Sequence, residues 1–355
     1  MTKKPTGVIL VNLGTPAEPT TASVREFLRE FLSDPRVVDI SPWLWKCLLD
    51  AFILPRRAPK VARSYKRIWL AEDSPLRLYT RELAEKVGVA LVVDKTGEDF
   101  NEKSGEKLDE KSGDSKSERP ARTSDPLSIT VTWAMTYGQP SIDERLEDFK
   151  RRGLERIVLC PLYPQFSSST TGSVYDCLAR YVGSTRDIPD FHCIHDYHDH
   201  PRYIGALASS VHRHWRYHGR KEKLLISFHG LPETYVEQGD PYIAQCKATA
   251  RLLAKKLHLE SDQWMVGFQS RFGRAKWVEP YSDAIISAWA REGVNSVDVI
   301  CPSFASDCLE TLEEVDVEFR QLFQQAGGRE LVLIPCLNSS EDHVELISTL
   351  IKAHL

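Results

Sequence analysis

The sequence contains no pair of cysteines at C-x2-C spacing. Its eight cysteines, at 47, 160, 177, 193, 246, 301, 308 and 336, stand singly along 355 residues. Neither a zinc ribbon nor an iron–sulfur binding run is written here. So few thiols in so long a chain make no disulfide framework, and reduced cysteines in the cytoplasm are expected. There is no G-x-G-x-x-G and no G-x4-G-K-[ST], so dinucleotide and P-loop readings lose their main support. No continuously apolar run reaches the length of about 18 residues that a transmembrane helix needs. The start, Met1 to Pro5, leads straight into a strand-like run with no apolar leader, so no signal peptide is expected. A basic excess is also missing. Lys and Arg number 46 against 50 Asp and Glu, a net charge of −4, which excludes a generally basic nucleic-acid binder.

What is present is ordinary globular material, with 42% apolar and 27% charged residues. The length suggests two domains. Short, nearly continuous apolar runs recur at Val8–Leu13, Ile129–Met135, Ile157–Leu162, Leu224–Phe228, Met265–Phe268, Val297–Cys301 and Leu331–Ile334. Such runs mark strands buried on both faces of a parallel sheet. Helical patterns separate them. Ser141–Lys150 sets Ile142, Leu146 and Phe149 on one face, and Pro241–Leu257, Ala284–Arg291 and Thr311–Gln325 follow. Strands alternating with helices predict an α/β fold of two similar sheets, about four strands each, with a cleft between them. The halves are drawn at 1–180 and 181–355, and the C-terminal helix is expected to pack back on the first. Residues 94–125 hold ten acidic and seven basic residues and only Phe100, Leu108 and Ala121 as apolar ones. That composition predicts a disordered surface insertion after a helix ending near Val93.

Chemistry in open α/β sheets is sought beyond the carboxyl ends of strands. His229, in Ser227-Phe-His-Gly-Leu-Pro232, leaves a buried strand there. Neutral imidazole ligates a metal or accepts a proton near pH 7, while a loop-bonded structural histidine is the plainer reading. Glu310, Glu314 and Glu318 share one face if their segment is helical. In a cleft they would pass protons or hold a cation; otherwise they form a solvated acidic first turn. The run Tyr163 to Ser173 offers hydroxyls and amides that would cradle an anion or cap the next helix. The segment Pro42 to Pro55, then Arg56 and Arg57, is either a lip facing a flat apolar ligand or a membrane, or a core helix with a basic end. His192, His195, His198 and His200 are spaced like metal ligands but read better as strand-end and loop residues.

These residues, taken in order, resemble the ferrochelatases, enzymes that insert ferrous iron into a porphyrin. The resemblance rests on Leu10-Val-Asn-Leu-Gly-Thr-Pro16, Phe31-Leu-Ser-Asp-Pro-Arg-Val-Val38, Leu159-Cys-Pro-Leu-Tyr-Pro-Gln-Phe166 with Ser169-Thr-Thr-Gly172, Ser227-Phe-His-Gly-Leu-Pro232, Gln269-Ser-Arg-Phe-Gly-Arg274 and Cys308-Leu-Glu-Thr-Leu-Glu-Glu314. It covers nearly the whole chain outside 94–125 and is similar above all to Gram-negative bacterial members. It implies two Rossmann-like domains with the porphyrin between them. It further implies that His229 and Glu310 are the catalytic and metal-contacting pair, with Glu314 and Glu318 as an acidic relay. Leu13, Tyr137, Trp277 and the 43–57 segment with Arg56 and Arg57 are implied to line or lip the porphyrin pocket. The implied partners are protoporphyrin IX and Fe(II), with a peripheral membrane contact through 43–57 and a cytoplasmic location.

Three departures from the family pattern stand out. Thr136 precedes Tyr137 where many members have arginine, which removes one anchor for a substrate carboxylate. Ser168 stands where animal members have one ligand of a [2Fe–2S] cluster, and Asn338 to Leu355 contain no cysteine, so no cluster and no permanent cofactor is expected. Cys308 occupies a position that is often histidine. A chelatase for another metal or tetrapyrrole, and a non-catalytic porphyrin binder, are the rival readings.

Overall fold

The structure, a computed structural model, describes residues 4–39, 41–102, 129–273 and 275–355. Among these residues eight strands form two four-stranded sheets, all of whose pairings are parallel. The first contains β1 (Thr6–Gly14), β2 (Ile129–Tyr137), β3 (Arg156–Pro161) and β4 (Asp190–Cys193) in the order β2-β1-β3-β4. The second contains β5 (Lys223–His229), β6 (Trp264–Gln269), β7 (Ser296–Ile300) and β8 (Glu330–Leu333) in the order β6-β5-β7-β8. The second sheet thus repeats the topology of the first.

The central strands explain the apolar runs. Val8 pairs with Val131 on one side and Val158 on the other, and Val8 to Val11 are fully buried. Ile226 sits likewise between Val266 and Ile300. A strand flanked by neighbours and covered on both faces has no solvent face, so its sequence does not alternate. The short edge strand β4, Asp190-Phe-His-Cys193, has no such run and was missed for that reason.

Helices cover both faces. They are α1 (Thr21–Leu32), α2 (Pro42–Leu48), α3 (Leu54–Ile68), α4 (Pro75–Glu102), α5 (Ile142–Arg151), α6 (Thr171–Ser184), α7 (Pro201–His218), α8 (Glu233–Glu237), α9 (Tyr242–Lys256), α10 (Ser282–Arg291), α11 (Arg320–Gln325) and α12 (Glu341–Lys352). α5 starts at a reciprocal capping box, in which Ser141 accepts from the Glu144 N–H and Glu144 accepts from the Ser141 N–H. α4 runs on to Glu102, past the end expected near Val93. A helix already nucleated propagates cheaply through polar residues. The remainder of the expected insertion lies outside the described residues.

One core joins the two sheets. Val8, Leu83 and Val87 of the first half share it with Ile226 and Phe228 of the second and with Leu346, Ile347 and Ile351 of α12. The first sheet takes its edge strand from beyond residue 180, and α12 packs on both α4 and α7. Lys86 donates to the Ser339 carbonyl at 2.7 Å, tying α4 to the segment that leads into α12.

Candidate active site

Among the described residues, Leu49–Ile53 and Glu310–Phe319 wind as π-helix. The acidic run is therefore helical, but wider than the α-helix that its spacing suggests. Wide turns of this kind are frequent at functional sites.

His229 is the last residue of β5 and is half-buried. Its Nδ1–H donates to the Gly230 carbonyl at 2.7 Å. That bond fixes the tautomer and leaves the lone pair on Nε2. Its backbone N–H donates to Ser303 Oγ at 3.2 Å. The ring stands between Trp277 and Phe304, each with its centroid 6.3 Å away. Trp277 is buried and donates its indole N–H to the Phe272 carbonyl at 3.0 Å. Gly230 permits this closeness: a Cβ there would lie 2.8 Å from the Gln269 carbonyl oxygen and 3.0 Å from Trp277.

Gln269 links the histidine to the acidic helix. It pairs with His229 in the β5–β6 ladder, and its Nε2 donates to the Glu310 carbonyl at 3.2 Å. Its side-chain oxygen accepts from Ser227 Oγ in the buried interior. Glu310 opens the π-helix and reaches a cavity of about 90 Å³.

That cavity lies between the two halves of the chain. Leu13, Gly14 and Thr15 form one side, Phe27, Leu28 and Phe31 of α1 and Arg57, Val61 and Tyr65 of α3 form others, and Cys308, Leu309 and Glu310 close it. Gly14 is required at the turn, with φ 125° and the Tyr137 carbonyl oxygen only 1.9 Å from where a Cβ would stand. Burial pushes the Tyr65 hydroxyl well above its usual range, and the nearby Glu310 pushes it the same way, so it stays a phenol. Burial lowers the pKa of Arg57, and the Glu310 carboxylate opposes that shift. The Arg57 guanidinium also lies 5.3 Å over the Phe272 ring.

Beyond Glu310 the acid ladder enters a second cavity, of about 250 Å³, lined by Glu314, Glu318, Gln269, Ser270, Arg271 and Asp283. Glu314 accepts the Ser270 N–H at 2.8 Å and the Ser270 hydroxyl. Burial raises its pKa to about 7, against the lowering by those hydrogen bonds, and Glu310 and Glu318 add to the rise. Glu318 is exposed. The ladder so runs from solvent, past Glu314, to Glu310 at the first cavity.

The other expected site residues fall in different surroundings. Leu13 lines the first cavity. Tyr137 is buried behind it, donating to Asp34 Oδ2 at 2.6 Å, with its ring edge-on to Phe31. Arg56 is exposed on the rim and bonds the Phe52 carbonyl at 3.2 Å. Trp43, Leu44 and Phe52 are 76%, 59% and 56% exposed, while Leu49 and Leu54 of the same segment are buried, so it has an apolar outer face as well as a packed inner one. The hydroxyl run holds no free cradle. Ser167 Oγ, Ser168 N–H and Ser168 Oγ all donate to Asp240 Oδ2, so an internal carboxylate from the second half takes the anion's place. Ser168 is thereby committed to an internal hydrogen bond.

The four histidines of 192–200 do not converge. His195 stacks on Phe166 at 4.2 Å, His198 bonds Asp196 at 2.8 Å, and His200 caps α7. Among the described residues no group of three or more His, Cys, Asp or Glu side chains is arranged to hold a metal ion.

Tyr65 and Ser74 were not picked out from the sequence, yet both line the first cavity. A signal for Tyr65 was present. Arg57, Val61, Tyr65 and Ile68 recur at helical spacing, which puts them on one face of α3.

A doubled parallel sheet that carries its reactive groups past the strands' carboxyl ends is the architecture of the chelatases. CbiX, described as the terminal enzyme for biosynthesis of siroheme in denitrifying bacteria, shares it with a TM-score of 0.50 at 15% identity, over 99% of this chain and 100% of its own. The family model for ferrochelatase matches residues 5–105 and 98–355. Ferrochelatase 1 of Shewanella oneidensis is 46% identical over 346 residues, 98% of this chain and 95% of that protein. The ferrochelatase of Aeromonas hydrophila is 45% identical over 355 residues, all of both chains. The chain belongs to the ferrochelatase family, and it is an enzyme, a metal chelatase of the lyase class.

Proposed function

We propose that this chain inserts ferrous iron into protoporphyrin IX and releases protohaem, the closing step of haem biosynthesis. Fe(II) and the porphyrin enter as substrates, and two pyrrole protons leave as iron binds the four nitrogens. His229 Nε2 accepts a pyrrole proton or is the first nitrogen to meet the iron. Glu310 balances the charge of the cation and takes up a proton. Glu314 and Glu318 form the relay that carries protons outward or iron inward. The macrocycle lies against Leu13 and the apolar faces of α1 and α3. Trp277 backs the histidine, and Arg57 within and Arg56 at the rim supply cations for the propionates.

The observation that carries this reading is the Gln269 link. One residue joins the strand end bearing the free imidazole nitrogen to the first residue of the acid ladder, beside an apolar cavity. The exposed Trp43, Leu44 and Phe52 support a further element, peripheral contact with the inner membrane from the cytoplasmic side. No helix among the described residues is long and apolar enough to cross a membrane.

The test is an anaerobic assay with Fe(II) and protoporphyrin IX, following loss of free-porphyrin fluorescence. Glu310→Gln should lose at least about 100-fold in kcat and keep porphyrin affinity within about three-fold. Normal turnover by that variant overturns the mechanism. A spectral shift at one equivalent of porphyrin, without turnover by the wild type, overturns the enzyme reading in favour of a binding protein.

A further inference from the structure

Glu313 and Glu314 are neighbours in sequence, yet they hold opposite sides of the molecule. Glu314 takes Ser270 at the end of β6. Glu313 turns toward α3 in the first half of the chain. Its Oε2 accepts from Arg67 Nε at 3.0 Å, its Oε1 accepts from Arg67 Nη2, and Ser64 Oγ donates to the same Oε1 at 3.3 Å. Arg67 Nη2 also donates to Ser64 Oγ at 3.1 Å. The Glu313 side chain is 7% exposed and that of Arg67 is 56% exposed. This is a two-pronged, charge-assisted pair with its acid shielded and its cation wet.

The placement matters more than the strength. α3 presents Arg57 and Tyr65 to the cavity, and the π-helix presents Glu310 from across it. Ser64 and Arg67 flank Tyr65 in sequence, and Glu313 lies within a turn of Glu310. The contact therefore ties one wall of the cavity to the other beside the groups that face it. π-Helix is usually confined to single turns. Ten residues of it need anchors outside the helix, and Glu313 and Glu314 are two.

We propose that Glu313, Arg67 and Ser64 form a positioning clamp that holds the Glu310 wall against the Arg57–Tyr65 wall and thereby sets the rate of metal insertion without touching substrate. The proposal rests on the reading of the cavity as the porphyrin site. The clamp acts on geometry, so it belongs in kcat and not in porphyrin affinity. A misplacement of about 1 Å suffices for a loss of about 100-fold.

The experiment uses the full chain with Fe(II) and protoporphyrin IX, and measures kcat, KM, porphyrin affinity by fluorescence, and Tm. Glu313→Gln keeps size and shape and removes the charge. Arg67→Lys keeps the charge and loses the fork. Expected is a drop in kcat of about 10- to 100-fold for Glu313→Gln and a smaller one for Arg67→Lys, with porphyrin affinity held within about three-fold. Loss of kcat out of step with Tm across the pair supports positioning. Should Glu313→Gln fail to fold, Arg67→Lys keeps the Glu313 carboxylate and a cation beside it, removes the two-pronged geometry, and still decides the matter. If both variants keep kcat within about two-fold while Glu310→Gln loses it, the clamp is wrong and the site reading stands. If the wild type does not turn over, the site reading falls and the clamp with it.

Discussion

Ser270 donates its backbone N–H to the Glu314 carboxylate at 2.8 Å and its hydroxyl to the same group. The Ser270 backbone is left-handed, with φ 64°. That conformation costs a residue with a Cβ about 1–2 kcal/mol. It turns the N–H toward the acid ladder, so a local cost supports a buried carboxyl group.

The Glu314 pKa, raised to about 7 chiefly by burial, has a definite sign. The protonated form is favoured in the fold. Its contribution to stability is complete below the usual glutamate range and is lost as pH rises through 7. Glu314→Gln should therefore match the wild type near pH 5 and exceed it near pH 8.5, by at most about 3 kcal/mol. Thermal unfolding followed across that range checks this. A gap that does not widen with pH would refute the assignment.

Truncating the imidazole should separate binding from chemistry. His229→Ala removes the free Nε2 and the bond to the Gly230 carbonyl. Turnover should fall by at least about 100-fold while Trp277 and Phe304 keep the local packing. Stopped-flow zinc insertion together with porphyrin titration would show whether rate alone is lost.

Gly230 should not tolerate a methyl group. The added Cβ would meet the Gln269 carbonyl at 2.8 Å and the indole of Trp277 at 3.0 Å. The carbonyl belongs to the β6 backbone and cannot move freely. Gly230→Ala should cost about 1–3 kcal/mol of stability and spread His229 from Gln269. Chemical denaturation measures the first effect, and the assay measures the second.

The lip is testable apart from chemistry. Trp43 and Phe52 expose most of their rings, and the neighbouring Arg56, Lys60 and Arg63 are exposed cations. The double variant Trp43→Ser with Phe52→Ser should lose cosedimentation with vesicles containing anionic lipid. Its turnover in detergent should stay within about three-fold of wild type. Unchanged cosedimentation would remove the membrane role.

How much of this was legible beforehand varied from element to element. Val8–Leu13 and Leu224–Phe228 announced themselves because central parallel strands carry no polar alternation. Asp190–Cys193 did not, since a short edge strand has neither the length nor the apolar run. His229 and Glu310 stood out through their motifs and their places just past strands. Tyr65 and Ser74 did not, since residues that line a cavity from a helix or a loop look like any others. The run from Tyr163 to Ser173 read equally as an anion cradle or a helix cap, and no local pattern announced that Ser167 and Ser168 would bond Asp240 of the same chain.

The sequence by itself determined the doubled α/β plan, the family, and the residue types that can move protons and hold iron. Those follow from local rules: hydrophobic periodicity, strand-end motifs and side-chain chemistry. Only the tertiary structure decided which groups meet. It set Gln269 between His229 and Glu310, sent Glu313 to Arg67 and Glu314 to Ser270, and put Tyr137 behind the cavity wall. The physical reason is that these contacts join residues from 40 to 246 positions apart, such as His229 with Gln269 and Arg67 with Glu313. Their geometry depends on how two sheets pack, which no local pattern encodes.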